Sequence, residues 1–217
     1  MIPEAHRPVQ HLRPVTETLT DRPNTDRILL LLRHAKSSWD DPALDDHDRP
    51  LAHRGILGAM AMGRYVAQHY PDIDLAVCSS AVRCRNTLAL VQQELAAPIA
   101  WQQAPDAYLC GPARLLDLLH ALPAQKNGAP LRTVMLVAHN PDLQELALHL
   151  ALPTDNGSAP LRAQMAEKFP TAALAAFHMR GDRWSALSAA NCRLSDYQTP
   201  KTVMAIGDRE SAAGTES

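Results

Sequence analysis

Three places in this chain combine the end of an apolar run with residues able to do chemistry. Arg33 and His34 follow the leucines of RILLLL, Ser79 and Ser80 end DLAVCSS with Arg83 shortly after, and His139-Asn140 end RTVMLVAHN. Two arginines can hold a phosphate dianion through forked, charge-assisted hydrogen bonds. A neutral imidazole nitrogen is a competent phosphoryl acceptor, and its other nitrogen, donating to a backbone carbonyl, would fix the tautomer. A second histidine and the arginines would then stabilise charge on the equatorial oxygens of the transition state. Neither His34 nor His139 has carboxylate or cysteine companions at metal-ligand spacing, so the expected pocket binds phosphate with no metal and no organic cofactor. Singly, each feature is ordinary: an Arg-His pair is common, and a lone histidine at a strand end is more often a structural hydrogen-bonder. The weight lies in their coincidence at three strand ends.

The elements that would position these residues alternate between strand and helix. RILLLL reads as a strand buried on both faces. PLAHRGILGAMAMGRYVAQHY reads as a helix with Ile56, Met60, Gly63 and Ala67 on one stripe and Leu57, Tyr65 and Val66 beside it, stopped by Pro71. DLAVCSS is a second strand, and AVRCRNTLALVQQEL a helix with Leu88, Val91 and Leu95 on one side. GPARLLDLLHALP is a third helix, with Pro112 in its first turn and Pro123 beyond its end. RTVMLVAHN contains a third buried strand and PDLQELALHLAL a fourth helix. PTDNGSAPLRAQMAEKFP reads as loop with room for a short helix. TAALAAFHM and RWSALSAAN read as two antiparallel strands turned by RGD at a sheet edge. The expected fold class is α/β, a three-layer sandwich whose mostly parallel central sheet carries helices on both faces and an antiparallel edge hairpin. Open sheets of this kind bind ligands at the carboxyl ends of their strands, which is where the candidate residues fall.

Composition narrows the classes further. The 217 residues suit one sizeable domain, and 46% hydrophobic content supplies a core. A net charge of −2 and 4% aromatics argue against a nucleic-acid partner. No run approaches the ~18–20 apolar residues of a membrane span. Cys78, Cys84, Cys110 and Cys192 form no CxxC pair and read as reduced thiols, consistent with a cytoplasmic protein. Residues 1–26, proline-rich and polar, and 205–217 read as flexible tails around a domain at 27–204. Oligomeric state is left open.

The segments LLRHAKSSW, DDHDRPLAHRG, CSSAVRCRNT, LVAHNPDL, KFPTAAL and TPK resemble the histidine phosphatase superfamily, and more narrowly its compact branch of SixA-type phosphohistidine phosphatases. The resemblance runs from about Arg27 to about Thr202. It implies that His34 is the nucleophile that becomes phosphohistidine, that Arg33 and Arg83 bind phosphate, and that His139 is the second catalytic histidine. Arg49, in DRPL, resembles a further basic, substrate-binding residue of this branch. Gly55 matches the glycine at the helix start, where close packing is the expected reason. Ala35 replaces the glycine that usually follows Arg-His in the wider superfamily; the compact branch resembles this chain in tolerating alanine. Members acting on alkyl phosphates use a carboxylate after the second helix as general acid. The nearest candidate is Asp106, equally readable as a turn or capping residue.

The implied enzyme is a phosphatase working through a covalent phosphohistidine, with phosphohistidine on a signalling or phosphotransfer protein as substrate. A phosphoester gains roughly 10²–10⁴-fold from leaving-group protonation. A P–N bond is more labile, so a doubtful acid fits phosphohistidine better. Two alternatives stand beside it: a phosphatase for a small phosphorylated metabolite or nucleotide, and a non-catalytic phosphate-binding module, which the presence of both histidines disfavours. The acidic loop holding Asp40, Asp41, Asp45, Asp46 and Asp48 lacks EF-hand spacing and reads as solvated. Trp39 is expected to pack that loop or join the core, Ser37 and Ser38 to contact phosphate or shape a turn, and His47 and His53 to lie on the surface.

Overall fold

A computed structural model of the chain describes residues 26–153 and 158–205. The expected tails therefore lie outside the described residues, apart from Asp26 and Ala205. The elements run β1 (Arg27–Arg33), α1 (His53–His69), β2 (Leu75–Ser79), α2 (Val82–Gln93), β3 (Trp101–Ala104), α3 (Pro112–His120), β4 (Gln125–Lys126), β5 (Ala129–Pro130), β6 (Thr133–Ala138), α4 (Asp142–Leu150), α5 (Ala159–Glu167), β7 (Leu174–Met179) and β8 (Cys192–Gln198). The six-stranded sheet has the order β3-β2-β6-β1-β7-β8, and β4 and β5 form a separate antiparallel pair. The first four strands of that order are parallel, while β7 runs antiparallel to both β1 and β8.

The leucine run explains why β1 sits inside the sheet. Side chains alternate across a strand, so a strand covered on both faces must be apolar at every position. Leu29 and Leu31 join one core with Leu115 and Leu119 of α3 and Leu143, Leu146 and Leu150 of α4. Leu30 and Leu32 join the other with Met62 and Val66 of α1 and Leu88 and Val91 of α2. All four leucines are fully buried, each worth about 1.5–3 kcal/mol of transfer free energy.

Two expectations need correction. The buried face of α1 is built from Gly55, Gly58, Ala59, Met62, Gly63 and Val66, while Ile56 and Leu57 are 37% and 47% exposed. The helix approaches its neighbours too closely for large side chains. A Cβ on Gly55 would stand 2.1 Å from the Lys36 carbonyl oxygen, and one on Gly63 would stand 2.9 Å from Glu94 Cγ. The second correction concerns the hairpin. RWSALSAAN is not a strand: Trp184–Ala186 is a 3₁₀ turn, and the antiparallel partner of β7 begins only at Cys192, so the expected edge hairpin is β7–β8. Trp184 is drawn into the core, where its Nε1–H donates to the Leu131 carbonyl at 2.9 Å. Asn191 shapes the long connection by donating to the carbonyls of Arg180 and Ala186. The short, largely exposed β3 and the β4–β5 pair carry no apolar signal that sequence reasoning could use.

The glycines of α1 give a direct test of this packing. Gly55→Ala must displace backbone, whereas a Cβ on Gly58 finds its nearest atom at 3.5 Å, on the Pro200 ring. Urea unfolding should show Gly55→Ala losing about 1–3 kcal/mol. Gly58→Ala should be neutral or gain up to about 1 kcal/mol from helix propensity. Equal effects at the two positions would refute the close-approach account.

Candidate active site

Register brings the three strand ends together. β6 lies between β2 and β1, and Arg33 pairs with Ala138, so His34 and His139 leave the sheet side by side. Their ring centroids are 5.0 Å apart with planes tilted by 52°. The backbone of residues 172–173 holds the nucleophile candidate from its other side: Ala172 N–H donates to the His34 carbonyl, and Arg33 N–H donates to the Ala173 carbonyl. Ala172 adopts φ +59°, a left-handed conformation uncommon for a residue with a Cβ. Ala35 N–H donates to Thr87 Oγ1 at 2.9 Å, and Thr87 donates in turn to the Arg83 carbonyl at 2.6 Å. Thr87 thus couples the turn after His34 to the first turn of α2.

The hydrogen bonds assign the tautomers. His34 Nδ1 stands 2.8 Å from the Ala35 carbonyl oxygen. A carbonyl can only accept, so Nδ1 carries the proton and Nε2 keeps its lone pair. His139 is the reverse. Its Nδ1 faces Arg83 Nη2 at 3.2 Å, which can only donate, so the proton is on Nε2, 2.8 Å from Ser79 Oγ. Both rings are neutral at neutral pH. Burial is the main cause of the lowered His34 pKa, with Arg83 and Arg33 adding to it against the Ala35 bond, which brings it to about 4. Burial, then His34 and Arg83, lowers His139 to about 3.

The arginines are placed by backbone carbonyls and one carboxylate. Arg33 Nη1 donates to the Phe169 carbonyl at 2.6 Å, which also accepts from Asn140 Nδ2 at 3.2 Å. That carbonyl, in KFPTAAL, ties the ends of β1 and β6 together. Arg83 and Arg49 are both buried, and both grip Asp46. Arg49 Nη1 donates to Oδ1 at 2.8 Å, Arg83 Nη2 to Oδ2 at 2.9 Å, and Tyr108 OH to Oδ2 at 2.8 Å. Arg83 Nη1 also donates to the Asp46 backbone carbonyl. Partial burial acts to raise the Asp46 pKa. Tyr108, Arg83 and Arg49 more than offset it, holding the carboxyl at about 2. Arg49 further donates to Ser37 Oγ and the Ser38 carbonyl, and its guanidinium carbon lies 3.1 Å from the Trp39 ring centroid.

A cavity of about 360 Å³ opens here, lined by Arg33, His34, Ser37, Arg49 and Arg83, with Asp46 its one carboxylate. It assembles every expected phosphate-binding residue together with His34; His139 stands behind, against Arg83. Asp106 is not brought in: it is exposed, pairs with Arg114 and does not line the cavity. Asp46 is exposed, as expected of this loop, yet its carboxylate also joins Arg49, Arg83 and Tyr108 at the mouth of the site. Trp39 neither packs a core nor is buried; it covers Arg49 while 70% exposed. His47 is only partly exposed, bonded to Ser80 Oγ at 3.0 Å. The signal for Asp46 was its position three residues before Arg49, which a 3₁₀ turn converts into an ion pair. Among the described residues, no three His, Cys, Asp or Glu side chains converge in a metal-ligating group, and no helix is long and apolar enough to cross a membrane.

Two measurements check this electrostatic picture. In ¹⁵N-correlated NMR of the histidine rings, His34 should show the Nδ1–H tautomer and His139 the Nε2–H tautomer, both neutral at pH 5.5. Titration of both near the ordinary value of about 6.5 would contradict the burial account. The Asp46 pKa is depressed, so its contribution to stability is present above pH ~4 and is lost as pH falls toward 2. Asp46→Asn should therefore cost about 0.2–1 kcal/mol at neutral pH, the range of solvent-screened pairs. The difference from wild type should vanish near pH 2 in urea unfolding.

Comparison with known proteins agrees with this architecture. The family model described as histidine phosphatase superfamily (branch 1) matches residues 29–105. An uncharacterised protein of Mycobacterium tuberculosis is 31% identical over 170 residues, spanning 78% of this chain and 100% of the relative. A solved structure from Nakamurella multipartitia, assigned as a phosphohistidine phosphatase SixA, superposes with TM-score 0.67 at 28% identity, covering 81% of this chain and 96% of the other. A similarly assigned Agrobacterium tumefaciens structure gives TM-score 0.61 at 29% identity, with 80% and 98% covered.

Proposed function

The chain belongs to the histidine phosphatase superfamily and is a phosphatase; from that premise, we propose that it acts through a covalent phosphohistidine at His34, without a metal, on phosphohistidine carried by a signalling or phosphotransfer protein. The observation that carries the substrate class is the state of Asp46. It is the one carboxylate in the cavity lining, and three donors hold it ionised. An ionised carboxylate cannot protonate a leaving alkoxide. The imidazole of a phosphohistidine needs no such acid, because its distal nitrogen can already carry the proton.

The reaction then balances as two displacements. The His34 Nε2 lone pair attacks phosphorus and forms a P–N bond. The substrate P–N bond breaks, and its electron pair leaves on an imidazole that departs neutral, having been protonated at its distal nitrogen. Water next attacks phosphorus, the bond to His34 breaks, and inorganic phosphate is released. Arg33 and Arg83 bind the phosphoryl oxygens, with Arg49 at the margin. Arrival of a dianion raises the basicity of both imidazoles, so His139 becomes able to donate to the transferred group.

Single-turnover dephosphorylation of a phosphohistidine carrier protein should be fast in wild type and unaffected by Asp106→Ala. His34→Ala should lose at least ~10³-fold with its fold intact by circular dichroism. Vanadate should inhibit, and EDTA should not. Rapid hydrolysis of a small phosphomonoester in preference to the carrier would move the enzyme to the metabolite class. Retained turnover in His34→Ala would remove His34 as nucleophile.

A further inference from the structure

Beside the catalytic cavity lies a larger cleft of about 1070 Å³, which shares Arg33, Lys36 and Thr171 with it. Its other walls come from α1, the end of α5 and the segment following it, the end of β8 and residues 199–205. The charged side chains lining it are Arg33, Lys36, Arg54, Lys168 and Lys201 against a single carboxylate, Glu167. None of the five cations has a carboxylate partner among the described residues. In a chain whose net charge is −2, this is a strong local reversal of sign. An anionic molecule approaching the site is therefore drawn toward this flank.

The distribution of the cations identifies the kind of anion. A compact phosphate suits converging arginine forks, such as those Arg83 and Arg49 aim at Asp46. Here three of the five are lysines, which act as point charges on flexible stems. Lys36 follows β1, Arg54 is in the first turn of α1, Lys168 follows α5, and Lys201 follows β8. Between them lie apolar side chains, with Leu57 47% and Met204 38% exposed. Separated cations around an apolar floor match the spaced carboxylates and aliphatic side chains of a polypeptide. The volume also far exceeds what a phosphoimidazole occupies.

We propose that this cleft docks an acidic polypeptide segment flanking the phosphorylated histidine of the substrate protein. The proposal rests on the phosphohistidine reading above and adds to it the charge of the partner surface and the side from which it enters.

The test uses the full chain and two synthetic peptides with a central phosphohistidine, one flanked by glutamates and the other by glutamines at the same positions. Wild type should turn over the glutamate peptide with kcat/KM about tenfold higher, the size expected of several screened ion pairs. The gap should close near 1 M salt, where the Debye length is about 3 Å. It should also close in the Arg54→Gln/Lys201→Gln double variant, whose hydrolysis of free phosphohistidine stays at the wild-type rate. Equal turnover of the two peptides, or a gap that survives in the variant, would overturn the assignment. Binding of the unphosphorylated glutamate peptide, followed by fluorescence anisotropy, separates the cleft from the chemistry. If no phosphohistidine compound is hydrolysed while an aryl phosphate is, the catalytic reading fails. Peptide binding lost in the variant then still supports the acidic docking site, and absence of binding overturns it. A variant that binds the peptide normally but loses rate on a bisphosphorylated metabolite would reassign the cleft to small polyanions, which also overturns it.

Discussion

The parallel pairing of β1 with β6, in the register that sets Arg33 opposite Ala138, is the constraint on which the site depends. One residue beyond that pair, the two chains diverge from the sheet carrying His34 and His139 at a separation that only this register produces. A slip of one residue would mostly exchange one leucine of β1 for another, but it would move Arg33 and His34 relative to Ala138 and His139. The site is therefore more sensitive to this register than the two apolar cores that flank the sheet.

Around that frame, the cost of burying charge has been distributed. The rings of His34 and His139 are buried neutral, so no ionic desolvation is incurred until an anion arrives. Arg83 and Arg49 are buried charged, and they are satisfied by Asp46, Ser37 and backbone carbonyls. Arg33 is treated differently. It has the Phe169 carbonyl at one nitrogen, while its Nε has no protein partner, and burial lowers its pKa. Of these three arginines, the one with the fewest hydrogen bonds to described residues is the one that ends β1 and precedes His34.

Much of this was legible in the sequence because it rests on patterns with a short physical period. The fully apolar β1 and β6 announce a sheet covered on both faces, and polar residues at their ends announce the rim where His34, His139, Arg33 and Arg83 gather. What escaped depends on close approach or on distant partners. The α1 face was misread because glycine and alanine, rather than Ile56 and Leu57, meet the neighbouring backbone, and hydropathy assigns little weight to small residues. The segment containing Trp184 has the composition of a strand, yet it turns to bury the indole in the core, where the Leu131 carbonyl accepts its N–H. Asp46 was hidden among other aspartates, and only the fold shows which of them faces two buried guanidinium groups. Asp106 had a plausible place in the chain but an exposed position in space, paired with Arg114.

If the cavity takes phosphate as proposed, Asp46 adds a selectivity that depends on no substrate contact. Its carboxylate is an anion covalently tethered to the pocket, so it competes at a fixed local concentration that dilution cannot lower. Any solution anion seeking Arg83 and Arg49 must take donors from it. A halide or simple carboxylate offers no more acceptor capacity than the tethered group already supplies, and so gains little by exchange. A phosphoryl dianion brings a second charge and a third oxygen. On the proposed reading, the resting pocket would favour a tetrahedral dianion over a monovalent ion, and the same tether would be at hand to reclaim the arginines as phosphate departs.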